Sequence, residues 1–327
     1  MDTSTLNLNK IIEPILDDIK NIDKVINHYL NSKISLINNV SNYIINSGGK
    51  RLRPLILLMI AKSLGYKGSL HYLLAAIIEF IHTATLLHDD VIDNSNMRRG
   101  KKSANIVFGN SCSVLVGDYL YSRAFEMMVD TKSSKIIKII SEATTTIAEG
   151  EILQLLSMNN AQLSENDYFK VIISKTAKLF EASAHIGAIL SKTDSKNKKS
   201  AIDYGLNIGI AFQLIDDILD YTGDISVVGK NLGNDLKEGK TTLPLIHAIQ
   251  MSNHTNQNII KEAITNGTTS DFNNIINIIH ETDSLNYALL KAEKYASLAR
   301  NAIEKFPESI YKDSLIKISH LAVKREF

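Results

Sequence analysis

Along almost the whole chain, apolar residues recur at intervals of three and four, and alternating strand-like runs are scarce. That period is the signature of one buried helical face after another, and it predicts an all-α fold. Only four prolines and 16 glycines interrupt it. The pattern places helices over 8–30, 34–47, 53–64, 69–92, 111–130, 132–159, 164–192, 197–222, 241–252, 256–265, 270–281, 284–305 and 308–325. Gly48-Gly49 suits a left-handed helix end, Pro54 the first turn of the next helix, and Ser164 with Asp167 an N-terminal cap. The segment 223–240 resists a helical reading, and loops of that length are usually functional. Nothing marks a boundary, so residues 1–327 are expected to form one domain.

Charge narrows the function. With 36 Lys+Arg against 35 Asp+Glu, the 327-residue chain carries +1. It has no global field to recruit nucleic acid or an anionic membrane, so any anion must be bound by a local site. The lone Cys112 excludes an intrachain disulfide or a multi-thiolate zinc centre and fits a reducing compartment. The start, Met1-Asp2-Thr3-Ser4, lacks the features of a secretory signal or a transit peptide. The strongest apolar run, 55–61, is far short of the roughly 20 residues that span a bilayer, so no transmembrane segment is expected. A cytoplasmic protein is expected, with an organelle matrix as the alternative.

Two segments carry the chemistry: Asp89-Asp90-Val91-Ile92-Asp93 and Asp216-Asp217-Ile218-Leu219-Asp220, each at the end of an apolar helix. The outer aspartates of each cluster lie four residues apart, on one helix face and about 5.4 Å along the axis. Like charges there repel, and carboxylates at a helix C-terminus also oppose its dipole. A pattern that occurs twice in apolar surroundings needs a cation. Magnesium fits best, as a hard ion that takes one or two carboxylates and completes its shell with water and phosphate. Neither cluster has the spacing of an EF-hand loop, and zinc lacks thiolates or clustered histidines. Lys50, Arg51, Arg53, Arg98 and Arg99 supply positive charge nearby, and Lys175-Thr176, Lys230 and Lys240 add to it. Arginine forks grip phosphate oxygens in pairs, and lysine acts as a point charge.

These segments fall in an order that resembles the trans-prenyl diphosphate synthases. The matching stretches are Gly48-Gly49-Lys50-Arg51-Leu52-Arg53-Pro54, 82–90, Met97-Arg98-Arg99-Gly100, Gly117-Asp118-Tyr119-Leu120, 212–217 and 239–244, within residues 45 to 250. The resemblance implies an isoprenoid-synthase-type helical bundle around a large central cavity, generally homodimeric. It implies that Lys50, Arg53, His82 and Arg99 grip isopentenyl diphosphate. Arg98, Lys175, Thr176, Gln213, Lys230 and Lys240 would contact an allylic diphosphate of farnesyl length or shorter. Asp89, Asp93 and Asp216 would be the principal ligands of several Mg2+ ions, with Asp90, Asp217 and Asp220 as ligands or as partners of ligands. His88 is expected to play only a structural part. The implied reaction is ionisation of the allylic substrate and head-to-tail coupling, with Asp89, Asp93, Asp216, Lys175 and Lys240 as the catalytic set.

In the family, aromatic residues four or five positions before the first aspartate block the product tunnel. Here Ala84 and Thr85 leave it open, with Ile81, Ile78 and Ile77 below. From Asp89 to Ile77 the helix descends about 18 Å at ~1.5 Å per residue, which admits a product well beyond farnesyl. The stretch 82–100, with 111–128 after it, resembles the long-chain members that make octaprenyl-type quinone tails, and Phe125, Met127 and Met128 are candidates for the floor. Releasing so apolar a product implies transient contact with a bilayer. The alternatives are a farnesyl or geranylgeranyl synthase and the non-catalytic subunit of a heteromeric synthase. Such a subunit loses aspartates, and all six are present here. A terpene cyclase would replace the second Asp cluster with an Asn/Ser/Glu motif and would not need Lys50 and Arg53.

Overall fold

The computed structural model describes residues 8–222 and 232–324. The helices are α1 (Leu8–Ile12), α2 (Leu16–Leu30), α3 (Ser35–Ile45), α4 (Leu52–Ser63), α5 (Leu70–Ile92), α6 (Ala104–Phe108), α7 (Asn110–Asp130), α8 (Ser134–Ser157) and α9 (Glu165–Ile172). They continue as α10 (Lys178–Leu190), α11 (Ser195–Thr222), α12 (Asn234–Lys237), α13 (Leu243–Met251), α14 (His254–Asn266), α15 (Phe272–Glu281), α16 (Ser284–Ala302) and α17 (Ile310–Val323). Among the described residues the strands are β1 (Met97–Arg98) and β2 (Lys101–Lys102), a small antiparallel pair. The expected all-α class is therefore the observed one.

The centre of the bundle follows from composition. Every residue from Leu55 to Ala61 is buried, so α4 is apolar all round and can only be an interior helix. It packs on α5 and α10; α10 packs on α11, α11 on α16, and α5 on α7. Close approach depends on small residues. A Cβ at Gly187 would stand 2.7 Å from the Leu57 carbonyl oxygen, and one at Gly205 would stand 2.6 Å from that of Phe180. These crossings hold α4, α5, α10 and α11 as one packed frame, and the two aspartate clusters sit at the ends of two of its members. By length and composition α5 could also cross a membrane, but here most of it is buried inside the bundle.

The local departures from the predicted helices have physical reasons. The span 8–30 is broken by a 3-10 turn at Glu13–Ile15, where Pro14 has no amide to give. The span 164–192 is interrupted by a π turn at Ile173–Ala177. The link after α5 contains the hairpin, whose two-residue loop is Arg99-Gly100 with φ of 52° and 74°. Positive φ at both central residues is the type I′ geometry that matches strand twist. Within the stretch expected to be irregular, 234–237 forms α12, and 223–231 lies outside the described residues. The Ser164 cap forms as expected, its Oγ accepting the Asp167 amide at 3.1 Å.

The crossing of α10 and α11 leads to a stability prediction. Replacing Gly205 with Ala inserts a methyl against backbone that cannot swing aside. The expected loss is about 1–3 kcal/mol, read from the chemical-denaturation midpoint; an unchanged midpoint would show that the helices can separate freely.

Candidate active site

The C-terminal ends of α5 and α11 open onto one cavity of about 720 Å³. Asp89 and Asp93 reach it from α5, and Asp216, Asp217 and Asp220 from α11. Lys50, Arg53, His82, Arg98 and Arg99 line the same space, as do Lys175, Gln213 and Lys240. The chain thus brings together most of the residues selected from sequence, although the two clusters lie over 120 positions apart.

Two lysines join the acidic walls. Lys240 Nζ stands 3.0 Å from Asp93 Oδ2 and 2.5 Å from Glu238. Burial disfavours its charge, but Asp235, Asp93 and Glu238 outweigh that and hold the ammonium above the ordinary lysine range. Lys175 Nζ stands 2.6 Å from Glu151 and 4.0 Å from Asp89. Burial, with Asp93 nearby, raises Asp89 above the usual carboxylate range despite Lys175. Burial and Asp89 together push Glu151 up to about 6. This is a wall of desolvated carboxylates held by lysine counter-ions.

Lys175 owes its position to the π turn. Such turns displace residues from helical register and occur often at functional sites. Helix α8 lies directly against it, since a Cβ at Gly150 would stand 2.7 Å from the Lys175 amide nitrogen. That contact brings Glu151, the next residue, to Lys175.

The remaining acids are tied to protein partners. Asp90 is fully buried and does not line the cavity; its Oδ1 accepts Arg98 Nε–H at 2.7 Å and forms an ion pair with Nη2 at 2.7 Å. One residue on from Asp89, Asp90 is rotated off the cavity face and anchors Arg98. Asp217 accepts the Tyr168 hydroxyl at 2.5 Å and the Gln213 amide at 2.7 Å. Thr176 donates to Gln213 at 2.8 Å and lines a smaller pocket that adjoins the cavity and shares Lys175, Gln213, Asp217 and Lys240 with it. Asp220 caps α12, accepting the amides of Asn234 and Asp235.

The opposite end of the cavity is basic. Arg53 Nη1 lies 3.2 Å from His82 Nε2, and its guanidinium stacks on Phe180 at 4.3 Å. Burial, reinforced by Arg53, Arg99 and Arg98, pushes His82 well below its ordinary range. His82 is therefore neutral and accepts from Arg53. Burial also brings Arg53 down to about 10, which leaves it charged at neutral pH. Arg51 and Arg99 both take left-handed backbone, with φ of 45° and 52°. Arg99 donates to the Gly48 carbonyl, and a Cβ at Gly49 would collide with its guanidinium at 2.6 Å.

Ala84 and Ile81 are fully buried, and Thr85 is half-buried with its hydroxyl on the His82 carbonyl. They lie on α5 beyond the cavity lining. Met127 and Met128 are buried, whereas Phe125 is exposed on α7. His88 packs against Gly117 and stands 3.2 Å from the Val114 carbonyl, a structural role. Lys230 lies outside the described residues. Sequence reasoning missed Glu79, Glu151, Tyr168, Asp235 and Glu238. A charge inside the apolar run 74–81 was the available signal for Glu79; the others become visible only through their partners.

The donor set suits magnesium. Asp89, Asp93 and Asp216 present hard oxygen ligands to one cavity, and among the described residues no three acidic, histidine or cysteine side chains stand close enough to hold an ion by themselves. An ion that keeps water and phosphate in its shell matches such an open arrangement.

Comparison with known proteins agrees with this chemistry. The polyprenyl synthetase family profile matches residues 34–279. Octaprenyl diphosphate synthase of Escherichia coli is 45% identical over 322 residues, covering 98% of this chain and 100% of that one. The all-trans-nonaprenyl-diphosphate synthase (geranyl-diphosphate specific) of Rhodobacter capsulatus is 40% identical over 96% of this chain and 97% of its own. A crystal structure of polyprenyl synthase from Caulobacter crescentus, complexed with calcium and isoprenyl diphosphate, superposes with a TM-score of 0.95 at 40% identity, covering 98% of each chain. With its paired aspartate clusters and basic end in one cavity, this chain belongs to the polyprenyl synthetase family and is a prenyltransferase of long-chain trans-prenyl condensation.

Proposed function

We propose that this protein, acting as one polyprenyl synthase domain over residues 1–327, extends an allylic diphosphate with isopentenyl units to an octaprenyl-like product for a quinone side chain. The observation that carries the proposal is the division of one cavity into a basic end and an acidic end. Lys50, Arg53, His82 and Arg99 hold the isopentenyl headgroup by direct charge and hydrogen bonding. Asp89, Asp93 and Asp216, with Asp217 and Asp220 beside them, would hold several Mg2+ ions; when bound, these neutralise charge on the allylic diphosphate and polarise its oxygens.

Lys175, Arg98, Gln213 and Lys240 orient that second diphosphate and stabilise the charge that builds as its C1–O bond breaks. The isopentenyl double bond then attacks C1, forming the new carbon–carbon bond. The resulting cation loses a proton, which the departing diphosphate accepts. The apolar frame below excludes water that would quench the allylic cation.

Length follows from α5. Small side chains at Ala84 and Thr85 leave the growing tail room to descend past Ile81. Homodimerisation is supported by apolar side chains on α7 and α8: Leu115, Val129, Ile152, Leu155 and Leu156 are all more than half exposed in the protomer. The reading places the reaction in the cytoplasm, with transient membrane contact for product release.

Two experiments test this. Purified protein given isopentenyl and farnesyl diphosphates with magnesium should make long products resolvable by chain length, and absence of turnover would favour the non-catalytic subunit. In the same assay, Asp89→Ala or Asp216→Ala should lower turnover by about 10²-fold or more with an unchanged circular-dichroism spectrum; near-normal rates would remove these residues from the mechanism. Separately, Ala84→Phe or Thr85→Phe should shorten the product, and unchanged length would refute the path along α5.

A further inference from the structure

Glu79 lies on α5 three residues before His82, on the same helix face. It is only 6% exposed, yet it lines the cavity. Its helical neighbours Ile77, Ile78, Phe80 and Ile81 are core residues. One carboxylate oxygen stands 3.9 Å from Arg51 Nε; the other has no hydrogen-bond partner among the described residues. Arg53 Nε, in the same cavity, is likewise buried without a partner. Burial lifts the Glu79 carboxyl above the usual carboxylate range, and the guanidiniums of Arg51, Arg53 and Arg99 pull it back toward the charged form.

The groups facing Glu79 come from three other elements. Arg51 and Arg53 come from the start of α4, Arg99 from the hairpin loop and Asp23 from α2; His82 lies one turn on along its own helix. Glu79 is the strongest opposing charge felt by both Arg53 and Arg99, ahead of Asp216 for the first and Asp90 for the second. Other partners draw the arginines apart. Arg51 is paired with Asp23, Arg99 donates to the Gly48 carbonyl, and Arg53 lies on Phe180. Three like charges at one end of a cavity repel, and two of these stand on left-handed backbone, so their convergence needs an internal anchor.

We infer that Glu79 is a positioning residue for the isopentenyl diphosphate headgroup: from beneath, its carboxylate holds Arg51, Arg53 and Arg99 converged on the wall the headgroup meets. The inference rests on the assignment of the basic end in the proposed function. It gives Arg51, which the sequence left without a role, a place in that grip. Preorganised donors bind without paying for reorganisation at the moment of capture. Glu79 touches no reacting atom, so its effect is confined to one ligand.

Calorimetric titration of the full-length protein with isopentenyl diphosphate, and separately with farnesyl diphosphate plus magnesium, tests this without requiring turnover. Glu79→Gln keeps the shape and removes the charge. It should weaken isopentenyl diphosphate binding about tenfold and leave farnesyl diphosphate binding within twofold. Glu79→Asp keeps the charge one methylene back and should restore part of the loss; it decides the matter alone if the Gln variant does not fold. Equal weakening of both ligands, or unchanged isopentenyl diphosphate binding by these variants, would overturn the role of Glu79. Wild-type protein that binds no isopentenyl diphosphate would overturn the assignment of the basic end itself, and the inference with it.

Discussion

Carboxylates brought face to face at the wrong ends of two helices are the constraint on which this molecule is built. Asp89 and Asp93 close α5, and Asp216, Asp217 and Asp220 close α11, where each helix already presents its negative pole. In a partly dry cavity that repulsion cannot be left to solvent. The protein meets it with Lys175 and Lys240, whose contacts to Asp89 and Asp93 cross from other segments. These contacts set two ammonium groups against the first cluster, inside the cavity that both clusters share.

The frame beneath makes that juxtaposition affordable. Helices α4, α5, α10 and α11 touch through glycines and buried aliphatic side chains, so the two acidic ends are positioned by packing density rather than by loops. Polar chains then aim individual groups. Tyr168 and Gln213 hold Asp217, Thr176 holds Gln213, and Asp90 holds Arg98. Tyr168, Thr176 and Asp90, which are not part of the cavity lining, thereby hold residues that are.

Much of this was legible in the residues themselves. The apolar period located the long helices because their burial faces repeat over many turns, and the Asp spacing of four identified the pairs that share a face. The same arithmetic sets Asp90 apart from Asp89, since adjacent residues on a helix diverge by about 100°. The capping of α12 by Asp220 was invisible, because its partners lie 14 and 15 positions away in a stretch with no helical period. The hairpin escaped notice because two residues per strand are too few to alternate. The π turn left no trace in the pattern, since a slipped hydrogen bond changes no residue type.

That slipped bond has a consequence for how the fold can accommodate change. A single wide turn absorbs the extra residue locally, so α9 and α10 on either side keep the rotational phase their own core faces require. Only the turn Ile173–Ala177, which carries Lys175 and Thr176, is thrown out of step. Scaffold and polar wall are in this way mechanically decoupled at one point of the chain, and the aim of a lysine can be adjusted there without turning the helices that frame it.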